Sequence, residues 1–359
     1  MIHDPWCWKR HPSPLTTCPS PIPEYFPIKP PLLSLVEKNN AIQRYLSKRF
    51  RILLSGDPDG IPPWLKNVKA SDAPGLYLPD EAPWVAHADL ATLVGGIRAL
   101  LMQALHPGSL TGVANHSRYK SDPLGRLSGT IRWLTVTTFA STASVSTEAD
   151  RVNQMHKRVK GTYKTSKGES KGYRAADPDL LRWVHIAIME SFLRCHQLYS
   201  TRPLPGGADA YINLWSKSVA PLGLNEVPMS EAELLDELKR YRPELIMNDT
   251  TREVIRWIKY PPLPKTSLPA YRFLFKAALA SLPYEYQTMI GLGHPSLKIM
   301  RPITVNLLRL IKVAIGPESP IEEAAIARLH RAGLMKDGKI IRRSSKSFPP
   351  DVTNPAPGS

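Results

Sequence analysis

Between Pro83 and Ser319 the apolar residues return at the 3.6-residue spacing of a helix, and the period-2 alternation of a half-buried strand is scarce. Leu90, Leu93, Val94, Ile97, Leu101 and Leu105 form one stripe. The His106-Pro107 step closes it, because proline disfavours a helical residue before it. Asp177 and Pro178 open a second stripe, carried by Leu181, Val184, Ile188 and Phe192 to about Tyr199. Thr147 suits the N-cap of a third helix, with Glu148 and Asp150 at its positive end, Lys157, Arg158 and Lys160 at the other, and Gly161 as the stop. Further helices are predicted at 35–50, 124–139, 208–222, 230–241 and 271–281, the 230–241 helix opening with a Ser230-x-x-Glu233 capping box. The pattern predicts an all-α fold in three parts: a Pro-rich N-terminal extension with one helix (1–82), one globular helical domain (83–330) and a basic, Pro-containing tail (331–359).

Proline marks the irregular ends. Nine of the 36 prolines precede residue 35 and four follow Phe348, so both ends read as loop or tail, with residues beyond Lys346 expected in solvent. A hydrophobic content of 42 % supports a real core between them. Cys7, Cys18 and Cys195 are too few and too scattered for a disulfide framework or a Cys-rich metal site. The opening MIHDPWCWKRHPSP has no apolar core of a secretory signal, and the run 90–105 is too short and too interrupted to span a bilayer. The expected location is cytoplasmic.

A net charge of +16 raises the question of a polyanionic partner. Seven cations crowd 157–174 among three glycines, and five more fall between Lys336 and Lys346. The second cluster has no aromatic residues interleaved for base stacking, and neither lies in a helix-turn-helix or zinc-finger pattern. The clusters read as solvated surface with no specific nucleic acid partner, and they leave room for peripheral contact with an anionic membrane.

Chemistry-bearing patterns are few. G-x-S-x-G, the P-loop, His-Glu-x-x-His, G-x-G-x-x-G after a strand, and the Glu-x-x-His pairs of di-iron bundles are all missing. Four histidines in or beside the first core helices, His106, His116, His156 and His185, are candidates. His185 sits on the apolar stripe, one turn from Leu181 and from Met189, and should point inward. Its imidazole is either a neutral core histidine donating to a carbonyl or a ligand to haem iron, and periodicity leaves both open. His106, before Pro107, and His116, in an expected loop beyond Gly112, rank behind it. Arg151, Gln154, Met155 and Arg158 fall on one helix face beside an apolar stripe, either as a solvated ion-paired surface or as polar groups facing a pocket.

The segments RALLMQALHPGSLTGVANHSRYKSDPLGRL (98–127), RVNQMHKRVKGT (151–162) and YRAADPDLLRWVHIAIMESFL (173–193) together resemble the MpaB and rubber-oxygenase (latex-clearing protein) superfamily, from about Trp84 to about Ile315. The resemblance implies a globin-like helical core carrying haem b. It implies His185 as the proximal iron ligand; Met189, one turn from it, and Met155, on the face of Arg151, are expected in the cofactor pocket. It implies that Arg151 would lie near the haem, and Gln154, beside it on the helix face, is expected to act with it in catalysis. It departs from the rubber-cleaving members where they carry lysine and threonine and this chain has Gln154 and Met155. It also lacks their proposed glutamate base, since no acidic residue stands between Asp122 and Glu148. The expected function is a haem-dependent oxygenase using dioxygen on an apolar, unsaturated or isoprenoid-like small molecule. The alternative is a non-catalytic haem- or lipid-binding protein of the same fold.

Overall fold

A computed structural model describes residues 40–116, 123–317 and 319–341. Expectations placed on the two Pro-rich ends, on the start of the first helix at 35 and on the tail beyond Lys346 lie outside the described residues. Among the described residues fifteen α-helices follow one another: α1 (Ala41–Ser55), α2 (Leu65–Lys69), α3 (Ala82–His87), α4 (Ala91–Leu105), α5 (Pro107–His116), α6 (Pro123–Phe139), α7 (Thr142–His156), α8 (Pro178–Tyr199), α9 (Gly207–Ser216), α10 (Glu231–Tyr241), α11 (Asp249–Lys259), α12 (Leu268–Ser281), α13 (Tyr284–Ile290), α14 (Leu297–Ile315) and α15 (Pro320–Arg331). Among the described residues the strands are confined to two antiparallel hairpins, β1 (Lys160–Lys164) with β2 (Ser170–Arg174) and β3 (Met335–Lys336) with β4 (Lys339–Ile340). The fold is mainly helical.

The α4 and α8 stripes meet at the centre, with α12, α14 and α11 packed around them. Buried Val94, Leu101 and Leu105 of α4 and Ile186, Met189 and Leu193 of α8 belong to one continuous core with Trp183, Tyr211, Trp215 and Phe275. Gly95 permits the close approach: a Cβ there would stand 2.5 Å from Cδ1 of Phe192. Arg98, which interrupts the apolar run in the sequence, is fully buried and forms a forked ion pair with buried Glu190 on α8. Its Nη1 also donates to the Ser191 hydroxyl at 2.9 Å. A second apolar cluster joins Trp64 at the N-cap of α2, Val68 of α2, Trp84 of α3, Val136 of α6, Val145 of α7, Ala325 of α15 and Met335 of β3.

Several local expectations are corrected. The N-cap of α7 is Ser141, whose hydroxyl accepts from Ser144 N at 3.3 Å, while Thr147 lies inside the helix and donates to the Ala143 carbonyl. Both residues have capping chemistry, and tertiary contact decides: the Ser144 hydroxyl donates to the Asn67 carbonyl at 3.0 Å and fixes the chain entry. The glycine-rich segment after His106 is the helix α5 instead of a loop, and His116 is its last residue. Gly108 there serves close packing, since a Cβ would stand 3.0 Å from the Tyr163 ring of β1. The basic stretch 157–174 holds the β1–β2 hairpin, registered Lys160 to Arg174, with Tyr163 and Tyr173 turned inward and its lysines exposed. The helix predicted at 208–222 ends at Ser216, and residues 220–222 make a short 3-10 turn.

Capping follows the sequence more closely at α10 and α8. Ser230 caps α10 through Glu233 N at 3.3 Å, and Glu233 returns its carboxylate to Met229 N at 2.8 Å. Asp177 stands at the N-cap of α8, but its carboxylate accepts from Arg174 N at 2.7 Å and so ties the hairpin to the helix.

Candidate functional site

α8 places its side chains on opposite flanks. Trp183 and His185 are two residues apart, about 200° around the helix, whereas Met189 and Phe192 follow His185 on its own flank. On the Trp183 flank lies His106, with ring centroids 5.8 Å from Trp183 and 6.0 Å from Tyr241. Its Nε2 stands 3.4 Å from a carboxylate oxygen of Glu244. Burial holds its pKa below the ordinary histidine value, with Glu244 opposing that shift. Beside it a shallow cleft of about 220 Å³ is lined by Pro107, Tyr163, Lys171 and Glu244, among others.

The His185 flank is drier. His185 is 4 % exposed, Met189 is fully buried, and Nε2 of His185 has no hydrogen-bond partner among the described residues. Desolvation alone pushes its pKa down to about 3, so the imidazole is neutral at any ordinary pH. The indole of Trp215, from α9, lies nearly parallel to the ring at 6.5 Å between centroids. Trp215 Nε1 is likewise buried without a partner.

His87, at the end of α3, meets this indole edge-on at 4.4 Å and approaches Phe192 at 5.3 Å. Its two ring nitrogens are both engaged, Nδ1 with the Thr138 hydroxyl at 2.8 Å and Nε2 with the Tyr211 hydroxyl at 3.0 Å. Burial, aided by His196, pushes its pKa to about 3 as well. Two neutral imidazoles therefore contact one tryptophan, and His185 keeps a nitrogen free among the described residues.

Arg151, Gln154 and Met155 are not brought to this place. Their side of α7 is exposed, Met155 to 48 %. The buried face of that helix is Val145, Ala149 and Val152, packed toward α6 and the 3-10 turn at 220–222. The expectation that the Arg151 to Met155 segment faces His185 across a shared cavity is corrected by an ion pair. Glu148, one turn before Arg151 and fully buried, accepts from Arg151 Nε at 3.0 Å and Nη2 at 2.6 Å. Its other oxygen accepts from Arg132 of α6 at 2.8 Å. With both oxygens taken by guanidinium groups, Glu148 anchors α7 to α6 and turns Arg151 along the surface.

Sequence reasoning missed His87, Trp215 and Glu148 as members of buried polar contacts. A short helix of six residues carries no readable period, so His87 had no stripe to mark it, and the Trp215 contact is purely tertiary. Glu148 had a signal, its i+3 spacing to Arg151, but read as a helix-end charge.

Fold and site together define a helical domain built around a pair of closely packed helices with one dry, unpaired imidazole between them and α9. The chain belongs to the family described as ER-bound oxygenase mpaB/B'/Rubber oxygenase, catalytic domain, whose model matches residues 84–313. It is thus an oxygenase catalytic domain, an enzyme that uses oxygen on a small molecule. No curated protein and no solved structure matches the chain. Among the described residues no helix is long and apolar enough to cross a membrane, and no three His, Cys, Asp or Glu side chains gather where they could hold a metal ion.

Proposed function

We propose that this protein is a haem b-dependent oxygenase acting with dioxygen on an apolar, unsaturated or isoprenoid-like small molecule. The reading is carried by the buried Nε2 of His185, neutral and without a partner. A buried polar atom left unpaired costs free energy, about 1–3 kcal/mol, unless something absent from the protein chain satisfies it. A cofactor that brings its own ring nitrogens needs only one from the protein, which suits a lone imidazole better than a metal bound by side chains alone. His185 would hold the iron, and Met189, one turn away on the same flank, would wall the pocket. When bound, the haem supplies oxygen activation. The chain's own part is to keep the imidazole unprotonated and to exclude water with the apolar surface of α4, α8 and α9. An apolar substrate follows from that dry surround.

For Arg151, Gln154 and Met155 the reading rests on the Arg-Val-x-x-x-His motif alone. Their exposed side of α7 supports at most a peripheral part, and on that reading Arg151→Ala should spare haem binding and lower turnover. The test is the visible absorption spectrum of the purified, haem-supplied protein, followed by oxygen uptake on alkene and isoprenoid substrates. His185→Ala should abolish the histidine-ligated haem spectrum. An unchanged spectrum in that variant overturns the ligand assignment, and haem binding without oxygen uptake favours a non-catalytic binding protein.

A further inference from the structure

Helices α1 and α14 carry four basic residues each and no acidic one. They pack on each other at the edge of the fold, where the Gln43 side-chain amide donates to the Val313 carbonyl at 3.0 Å. This contact brings the start of α1 to the end of α14, and the residues beside it are apolar and bare: Ile42 and Val313 are each 70 % exposed. Leu310 is 67 % exposed, Tyr45 63 %, and Leu46 and Ile303 extend the surface. On α14 the residues 299, 303, 310 and 313 recur at helical spacing, so its outward stripe is as apolar as an inward one, while Met300, Thr304 and Leu308 are the buried set. Arg44, Arg49, Arg309 and Lys312 lie beside these side chains in the two helices, as does Lys48, which is ion-paired with Asp59 at 3.7 Å.

Scattered exposed apolar residues need no explanation, but a seam of them across two helices does. Asp59 pairs with a cation of α1, but neither helix carries an acidic residue of its own, so the charge beside the seam is predominantly positive, which a partner protein's groove would not call for. Apolar side chains ringed by cations are the composition of a helix that lies in the headgroup layer of an anionic bilayer, apolar residues reaching the acyl boundary and cations meeting lipid phosphates.

We infer that the α1–α14 face is a monotopic docking surface for an anionic lipid bilayer. It would deliver an apolar substrate from the lipid phase, and in that respect rests on the function proposed above. Vesicle binding is read without turnover or haem, so either reading can fail alone.

The experiment is co-sedimentation of the full chain with phosphatidylcholine vesicles, with and without phosphatidylserine. Binding is expected to the mixed vesicles and to weaken with salt. Leu310→Glu and Val313→Glu should each lower the partition about tenfold or more, from the lost apolar burial. Arg309→Gln and Lys312→Gln should each lower it about fivefold on the anionic vesicles only. These sites are exposed, so circular dichroism and the melting temperature should be unchanged, which separates lost docking from lost folding. Absence of binding to mixed vesicles overturns the inference. Binding that survives the α14 changes but disappears on neutralising Lys160, Lys164 and Lys171 places the contact on the hairpin and overturns it too. A chain that is dimeric in solution and becomes monomeric with Leu310→Glu assigns the face to a second copy.

Discussion

Lowering the pH should unfold this protein through its buried imidazoles, and the effect can be worked out for His185. Its pKa is about 3 in the fold and, like any solvated histidine, about 6.5 in the unfolded chain. Between those values the unfolded state binds the proton and the folded state does not. The contribution to stability is therefore whole above about pH 6.5 and is lost progressively as pH falls toward 3. By pH 5 the loss is about 2 kcal/mol for one such group, against a total stability of about 5–15 kcal/mol. His87, with the same pKa of about 3, should add a similar amount. The assay is urea denaturation of the haem-free chain at about pH 7.5 and about pH 5, for the wild type, His185→Leu and His87→Leu. Each variant has its own offset at the higher pH, and only the difference between the two pH values is compared. That difference should shrink by about 2 kcal/mol in each variant. If His185→Leu loses as much stability between the two pH values as the wild type, the imidazole is reached by water or by a counter-charge, and the argument for a dry, neutral ligand falls with it.

Three other expectations follow from packing and capping. Glu190→Ala should cost about 3–5 kcal/mol, because fully buried Arg98 loses its counter-charge, and the double variant Arg98→Met, Glu190→Leu should recover much of it in a double-mutant cycle by chemical denaturation. Gly95→Ala should cost about 1–3 kcal/mol through the clash with Phe192, with Phe192→Leu in the same chain giving part of it back; additive losses would refute the contact. Ser141→Ala should cost about 1 kcal/mol by thermal melting while Thr147→Ala costs a few tenths, the reverse of what a helix starting at Thr147 would show.

How much could be read from residues alone depends on how far apart the causes lie. The stripe of α4 and the cap of α10 are written within a few residues of each other and stand where the spacing puts them, whereas on α8 the expected Leu181, Val184 and Ile188 are only half-buried and Trp183, Ile186 and Met189 take the core positions. The inward direction of His185 is equally local, a consequence of Leu181 and Met189 one turn away. Arg98 shows the opposite case. In its own helix it is only an interruption, and the residue that makes it part of the core is Glu190, 92 positions later. The hairpin at 160–174 escaped because its exposed faces are lysine and glycine, leaving two tyrosines to signal a strand pair. The placement of Arg151 was misjudged for an electrostatic reason: a helix period says which side of α7 is buried, but not that Glu148 on the buried side would hold the arginine against the surface.

The second apolar cluster has a bearing on how the enzyme could be shortened. Arg328, buried in α15, donates to the carbonyls of Ala73 and of Phe139, the latter at 3.2 Å, and so fastens the chain before α3 to the end of α6. Trp84, inside the family span of 84–313, is covered in part by residues outside it, with its indole nitrogen 3.4 Å from Glu322. A chain trimmed to the family limits would leave the Phe139 carbonyl without that donor and would bare the faces of α3 and α6 on which α2 and α15 rest. Such a fragment is expected to melt below the full chain and to be cleaved sooner by proteases, because the apolar cluster it breaks runs from Trp64 to Met335.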